Sequence, residues 1–156
     1  MSRPRGEPRL RSVRIADLAV ILEQLSDFWQ EGRDMGFLHQ ALYVHEFGET
    51  SVLAERDERI LGYLLGFQAP GGYGYVHAVA VRGEARGVGI ARLMYERFAE
   101  LLAERGAHSL KAITAPENSE SRAFHAALGF SEELVEGYSP SGGGRIVFRR
   151  ALSAQP

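Results

Sequence analysis

The chain has 156 residues, 45% apolar and 24% charged, which suits one soluble globular domain around one core. Its formal net charge of −2 argues against non-specific nucleic-acid binding. The absence of cysteine excludes disulfides, thiolate metal sites and a cysteine nucleophile.

No apolar run approaches the roughly 18 residues of a membrane span, and no apolar stretch follows the Arg- and Pro-bearing start as in a secretory signal. A cytoplasmic protein is expected, with residues 1–9 a flexible tail and 10–152 a single domain. Leu10 to Ile15 alternates apolar and polar residues, as an edge strand does. Asp17 is placed to cap a helix whose Leu18, Ile21, Leu22, Leu25 and Phe28 share one face, interrupted by Gly32 and Gly36. Asp34 to Phe47 reads as a second, irregular helix. Ser51–Glu55 and Ile60–Phe67 flank four charged residues and read as a hairpin, and Pro70-Gly71-Gly72 is a loop. Tyr75 to Val81 is a short apolar strand. A glycine-bearing turn leads to the clearest helix, where Ile90, Leu93, Met94, Phe98, Leu101 and Leu102 recur at three- and four-residue steps through Glu104 before Gly106 stops it. His108–Thr114 is a strand, Pro116–Leu128 a helix stopped by Gly129, and Phe130–Glu136 and Arg145–Arg150 a last strand pair around the loop Gly137–Gly144. The β-α-β succession predicts a mixed sheet with helices on both faces.

The turn Arg86-Gly87-Val88-Gly89-Ile90-Ala91 carries the chemistry. A helix start leaves about four N–H groups unpaired at the positive end of its dipole, which favours an anion. A diphosphate needs close backbone approach, and Gly87, Gly89 and Ala91 keep side chains small at alternate positions. Arg82, Arg86 and Arg92 add charge. The phosphate-binding P-loop is excluded, because Ile90-Ala91 stands where Lys and Ser or Thr are required. The dinucleotide fingerprint fails at Arg86, which stands at its first glycine.

The same six residues match the Gln/Arg-x-x-Gly-x-Gly/Ala signature of the GCN5-related N-acetyltransferase (GNAT) superfamily, which the chain resembles. A second element is similar too: an Asn, a short helix, then Gly-Phe, here Asn118 to Phe130. The resemblance covers about Leu10 to Leu152. It implies a mixed, mostly antiparallel twisted sheet of six to seven strands with about four helices. It also implies acetyl-CoA as co-substrate, with the diphosphate on Arg86, Gly87, Val88, Gly89, Ile90, Ala91 and Arg92. Backbone groups of Val79 and Val81 would pair with the pantetheine arm, and the N–H near Val79 would polarise the thioester carbonyl. Asn118, with Ser121, would bind the cofactor further along; as a plain helix cap, Asn118 could do both.

Acyl transfer to an amine needs two proton transfers. Relatives often carry a Tyr where this chain has His125, and some carry a Glu where it has His77. The resemblance therefore nominates His77 as base and His125 as acid, with Tyr138 and Tyr95 as substitutes for the acid and a water chain as competitor for the base. Each histidine could instead be a packing residue. The acceptor side would draw on Phe28, Trp29, Phe37, His39, Tyr43, His45, Phe47, Tyr73 and Tyr138, with Asp27, Glu31, Asp34, Glu46 and Glu49 among them. Such a pocket suits a small cationic amine, although helix aromatics are commonly core. No metal is expected. The reading is an N-acetyltransferase for a primary amine of a small molecule. The alternatives are a protein or peptide N-acetyltransferase and a non-catalytic acyl-CoA sensor. A homodimer is a family-level expectation.

Overall fold

A computed structural model describes residues 6–29 and 34–153. The start of the expected tail, the Gly32 interruption and the Glu31 carboxylate lie outside the described residues. Seven strands form one sheet in the order β1-β2-β3-β4-β5-β7-β6, and five α-helices accompany them among the described residues. The strands are β1 (Arg9–Arg11), β2 (Val52–Arg56), β3 (Arg59–Gln68), β4 (Tyr73–Val81), β5 (Ser109–Thr114), β6 (Ser131–Val135) and β7 (Arg145–Ala151). The helices are α1 (Ile15–Glu23), α2 (Leu25–Phe28), α3 (Leu42–Phe47), α4 (Ile90–Glu104) and α5 (Ser119–Ala127). Pairing is antiparallel for β1–β2, β2–β3, β5–β7 and β6–β7, and parallel for β4–β5. Among the described residues no helix is long and apolar enough to cross a membrane.

The chain divides into two compact units. The first runs to Phe67 and resumes over His77–Leu101. Its core gathers Leu18, Ile21 and Phe28 from α1 and α2, Leu53, Ile60, Tyr63 and Leu65 from β2 and β3, and Ala78 and Ala80 from β4. β4 alternates strictly, burying Ala78 and Ala80 while His77, Val79 and Val81 stay half-buried on its other face. Gly62 lets β4 and α4 come close, because a Cβ there would stand 2.8 Å from the Ala80 carbonyl and 3.1 Å from Met94.

Three expectations shift here. The first helix begins one turn early, with Arg14 extended at its cap position; Asp17 sits inside, and its carboxylate accepts the Arg14 N–H at 2.8 Å. Leu22 and Leu93 face outward, 43% and 44% exposed, because each lies off the buried stripe of its helix. The segment 34–47 is two pieces, a 3-10 turn at Gly36–Leu38 and then α3.

The second unit holds Gln68–Val76 and the chain from Leu102 onward. Here β4 pairs with β5 at Tyr73–Tyr75 and Ser109–Lys111. α4 and α5 both end in the same motif. Ala107 N–H bonds the Leu102 carbonyl at 2.9 Å and Gly106 N–H that of Ala103 at 3.0 Å. Phe130 and Gly129 repeat this onto His125 and Ala126, at 3.0 and 3.1 Å. Both are Schellman closures, and Gly106 and Gly129 take the required left-handed φ of +84° and +86°.

Candidate active site

In the first unit, β4 leads through Arg82 and a 3-10 turn at Gly83–Ala85 into the extended Arg86. Gly87 and Gly89 follow with φ of +83° and +86°. Residues 86–89 are exposed, and a Cβ at either glycine would meet no chain atom within 4 Å. The glycines are therefore required by backbone conformation, and the space over the turn is open. At the start of α4 the Leu93 N–H bonds the Gly89 carbonyl at 3.0 Å. The N–H groups of Ile90 and Ala91 precede it and face the open end of a 15-residue helix. The side chain of Ile90 is buried, so only its backbone can serve a ligand.

The arginines divide their work differently from the sequence reading. Arg82 is 4% exposed and points into the unit. Its Nε donates to the Ile60 carbonyl at 2.9 Å, Nη1 to Asp27 at 3.1 Å and Nη2 to Gln24 at 2.8 Å, with the guanidinium 4.6 Å over the Phe28 ring. It is a packing hub and not a source of charge for the turn. Arg86 donates from Nε to the Val81 carbonyl at 3.1 Å and from Nη2 to that of Phe28 at 2.7 Å. It braces the turn against β4 and α2, and it takes up one acceptor site on the carbonyl expected to face the pantetheine arm.

His77 lies on the half-buried face of β4 with Val79 and Val81. Its Nε2 donates to the Leu38 carbonyl at 2.9 Å, so in the neutral ring the lone pair is on Nδ1. The ring stacks on Tyr43 at 4.0 Å. Burial holds this imidazole below its ordinary value, and the Leu38 bond only partly offsets that. Near neutral pH the ring is an uncharged proton acceptor.

In the second unit, Asn118 caps α5. Its Oδ1 accepts the Ser121 N–H at 3.1 Å and its Nδ2 donates to Thr114 Oγ1 at 3.1 Å. His125 is 4% exposed. Its Nδ1 donates to the Ser121 carbonyl at 2.8 Å, and its ring lies flat on Phe148 at 4.0 Å and edge-on to Phe130 at 5.2 Å. Burial pushes this imidazole down as well, against the bond to Ser121. These are the surroundings of a core histidine. Tyr95 is buried on α4 with its phenol pushed upward by burial, while Tyr138 is exposed.

The pattern of the family described as "Acetyltransferase (GNAT) family" matches residues 18–130, most of the chain and both motif regions. The chain belongs to the GNAT acetyltransferase family. It is 28% identical over 137 residues to an L-2,4-diaminobutyric acid acetyltransferase of Nocardia farcinica, covering 81% of this chain and 71% of the relative. A protein of the same name from Wolinella succinogenes is 35% identical over 100 residues, covering 61% of this chain and 57% of that one. In fold, it is similar to the ribosomal-protein-S18-alanine N-acetyltransferase of Escherichia coli, with a TM-score of 0.74, 15% identity and 96% of each chain covered.

On the acceptor side the predicted aromatics fall into two groups, Phe28, Trp29 and His39 around Tyr63 and Tyr43 and Phe47 around Phe67. Phe28 is core, 1% exposed, while Phe37 is 67% exposed. Tyr43 and Phe47 both pack on Phe67, at 6.4 and 4.9 Å. His39 is buried and bonded to Tyr63, a β3 residue that sequence reading did not single out because it sits within an unbroken apolar run. Asp27 holds Arg82, and Asp34 accepts the Gly36 N–H at 3.1 Å. Among the described residues no group of three or more His, Cys, Asp or Glu could hold a metal ion.

Proposed function

We propose that this acetyltransferase moves the acetyl group of acetyl-CoA onto a primary amine of a small molecule, with His77 accepting the proton of the attacking ammonium. The observation that carries the base role is the state of His77: a neutral ring whose proton is held on Nε2 by Leu38, leaving Nδ1 open. As nitrogen attacks the thioester carbonyl, the N–C bond forms, the S–C bond breaks and CoA leaves as thiolate. The open turn fits a diphosphate: exposed backbone at Gly87 to Gly89, unfilled space above it and the start of α4 behind it. Arg86 positions that turn, Arg92 and the N–H groups of Ile90 and Ala91 face the anion, and the backbone of Val79 and Val81 takes the pantetheine arm. Asn118 caps the start of α5 on the Ser121 N–H, and the family resemblance assigns both to cofactor binding. His125 could give up a proton only as an imidazolium, which its burial opposes. The thiolate is therefore protonated from solvent, and His125 packs.

A small acceptor is supported by the two relatives named for diaminobutyric acid, which carries a primary amine on a short chain. The test is mass spectrometry of acetyl-CoA incubations with a panel of short diamines, diamino acids and peptides. Acetylation of short amines with stoichiometric CoA release supports the reading. Acetylation of peptides alone overturns the substrate class, and binding of acetyl-CoA without CoA release under any acceptor overturns the activity.

A further inference from the structure

The carbonyl that holds His77 belongs to a three-residue turn, and a buried polar relay holds that turn. Gly36–Leu38 forms a single 3-10 turn closed by Leu38 N–H to the Met35 carbonyl at 3.1 Å and His39 N–H to that of Gly36 at 3.0 Å. Turns this short have little stability of their own. His39 follows immediately and is 3% exposed. Its Nδ1 donates to the Met35 carbonyl at 2.7 Å, and its Nε2 accepts the Tyr63 hydroxyl proton at 2.7 Å. The Tyr63 oxygen in turn accepts the Trp29 Nε1 proton at 2.8 Å. Proton positions are thereby fixed along Trp29, Tyr63, His39 and Met35, with no donor left over. Apolar side chains at both 39 and 63 would fill the same core without the desolvation cost of two polar groups. What the polar relay adds is direction, because it locks the turn in one register on β3, one residue from the Leu38 carbonyl.

We infer that His39 and Tyr63 are positioning residues for the base: their hydrogen bond holds the Gly36–Leu38 turn so that the Leu38 carbonyl keeps the His77 proton on Nε2 and leaves Nδ1 open. This rests on His77 acting as the base. The titratable groups around His77 are Tyr43, stacked on it from α3, and His39, whose protonation would repel its charge. Release of the turn would remove both the Leu38 bond, which favours the charged ring, and the burial that disfavours it. Burial is the larger effect, so release moves the imidazole back up.

The test is an NMR titration of the full-length, 15N-labelled protein in wild-type, Tyr63→Phe, His39→Leu and His39→Gln forms, beside kcat/KM against pH. In the wild type, His77 should titrate below the ordinary value of about 6.5 and show a slowly exchanging Nε2–H. In Tyr63→Phe and His39→Leu that resonance should vanish and the titration should rise toward 6.5, carrying the low-pH limb of kcat/KM with it, while KM for acetyl-CoA stays within about twofold. His39→Gln keeps an acceptor for the Tyr63 hydroxyl and should restore both readouts. A wild-type His77 protonated on Nδ1 overturns the inference whether or not the variants fold. So do folded variants in which stability falls but titration and limb stay in place. His77→Ala separates the two claims: an unchanged limb there refutes the base, whereas the NMR titration reports on the relay independently.

Discussion

Arg82 and Arg86 are four residues apart, both beside the cofactor turn, and both have their guanidinium groups turned onto the chain. Arg82 makes three hydrogen bonds and covers an aromatic ring while almost fully buried. Lysine cannot reproduce a fork of that shape. Arg82→Lys is therefore expected to cost about 2 kcal/mol in urea unfolding, with acetyl-CoA affinity of the folded variant unchanged. A large loss of affinity at equal stability would return Arg82 to the turn's charge. Gly89 has the opposite character. A Cβ added there meets no chain atom within 4 Å, but the left-handed φ strains any side chain by about 1–2 kcal/mol. The added methyls would stand over the turn, so acetyl-CoA binding measured by calorimetry should fall by more than about tenfold; intact affinity would refute the diphosphate site. The spacing of these glycines was legible from sequence because the need for them is local. The burial of Arg82 was not, because its partners Gln24, Asp27 and Ile60 are distant in the chain and an arginine looks the same facing in or out.

Elements were most legible where a helix carries its own start and stop. The expected bounds of α4, Ile90 and Glu104, match the observed ones because an amphipathic stripe runs between a glycine turn and the Schellman glycine Gly106. α1 was misplaced by one turn because Asp17 works from inside the helix. It accepts the Arg14 N–H at 2.8 Å and takes a two-pronged bond from Arg11 at 2.7 and 2.8 Å, while Arg11 also pairs with Glu55 at 3.2 Å. Burial alone would raise this carboxyl, but the Arg11 bonds, the Arg14 N–H and the neighbouring charge outweigh it and hold it below the ordinary range. A depressed carboxyl stabilises fully above its unfolded value near 4 and loses that contribution as pH falls through the folded value. Asp17→Ala should then cost about 2–3 kcal/mol at pH 7, shrinking in acid, since it removes a cap and takes from the half-buried Arg11 its two-pronged partner, leaving it Glu55. A loss independent of pH would show that packing, not charge, matters here. The β2–β3 turn makes a prediction of the other sign. Asp57 and Glu58 both have positive φ, 49° and 63°, as the hairpin's primed turn demands, and Glu tolerates this poorly. Glu58→Gly should raise stability by about 0.5 kcal/mol after the entropy of glycine in the unfolded chain is allowed for, read as a higher urea midpoint at equal slope.

At the scale of the whole molecule, two buried histidines and the half-buried His77 point the same way. His39, His77 and His125 are each pushed below the ordinary imidazole value chiefly by burial, with a carbonyl hydrogen bond opposing it in every case. Between their folded values and about 6.5 the unfolded chain binds more protons than the native one, so stability rises with pH through that window. The contribution is complete above about pH 7.5 and is lost as pH drops below 6.5 toward the folded values. This is the sense of a depressed carboxylate, shifted upward to the histidine range. Sequence counting could not have supplied this, because five histidines in a chain of net charge −2 do not reveal which are buried neutral. Urea unfolding at pH 7.5 and 5.5 should give a clear fall in midpoint between the two, and His125→Phe should make that fall smaller. The phenyl ring keeps the stack on Phe148 and gives up the bond to the Ser121 carbonyl, so at pH 7.5 it should cost about 1 kcal/mol. At pH 5.5 the same substitution removes a group that must otherwise stay uncharged against its solution preference, so the difference from wild type should narrow or reverse. If acetyl transfer by His125→Phe also stays within about twofold of wild type, packing accounts for the residue. A collapse of turnover at unchanged stability would instead make His125 the proton donor to the thiolate and overturn its placement in the core.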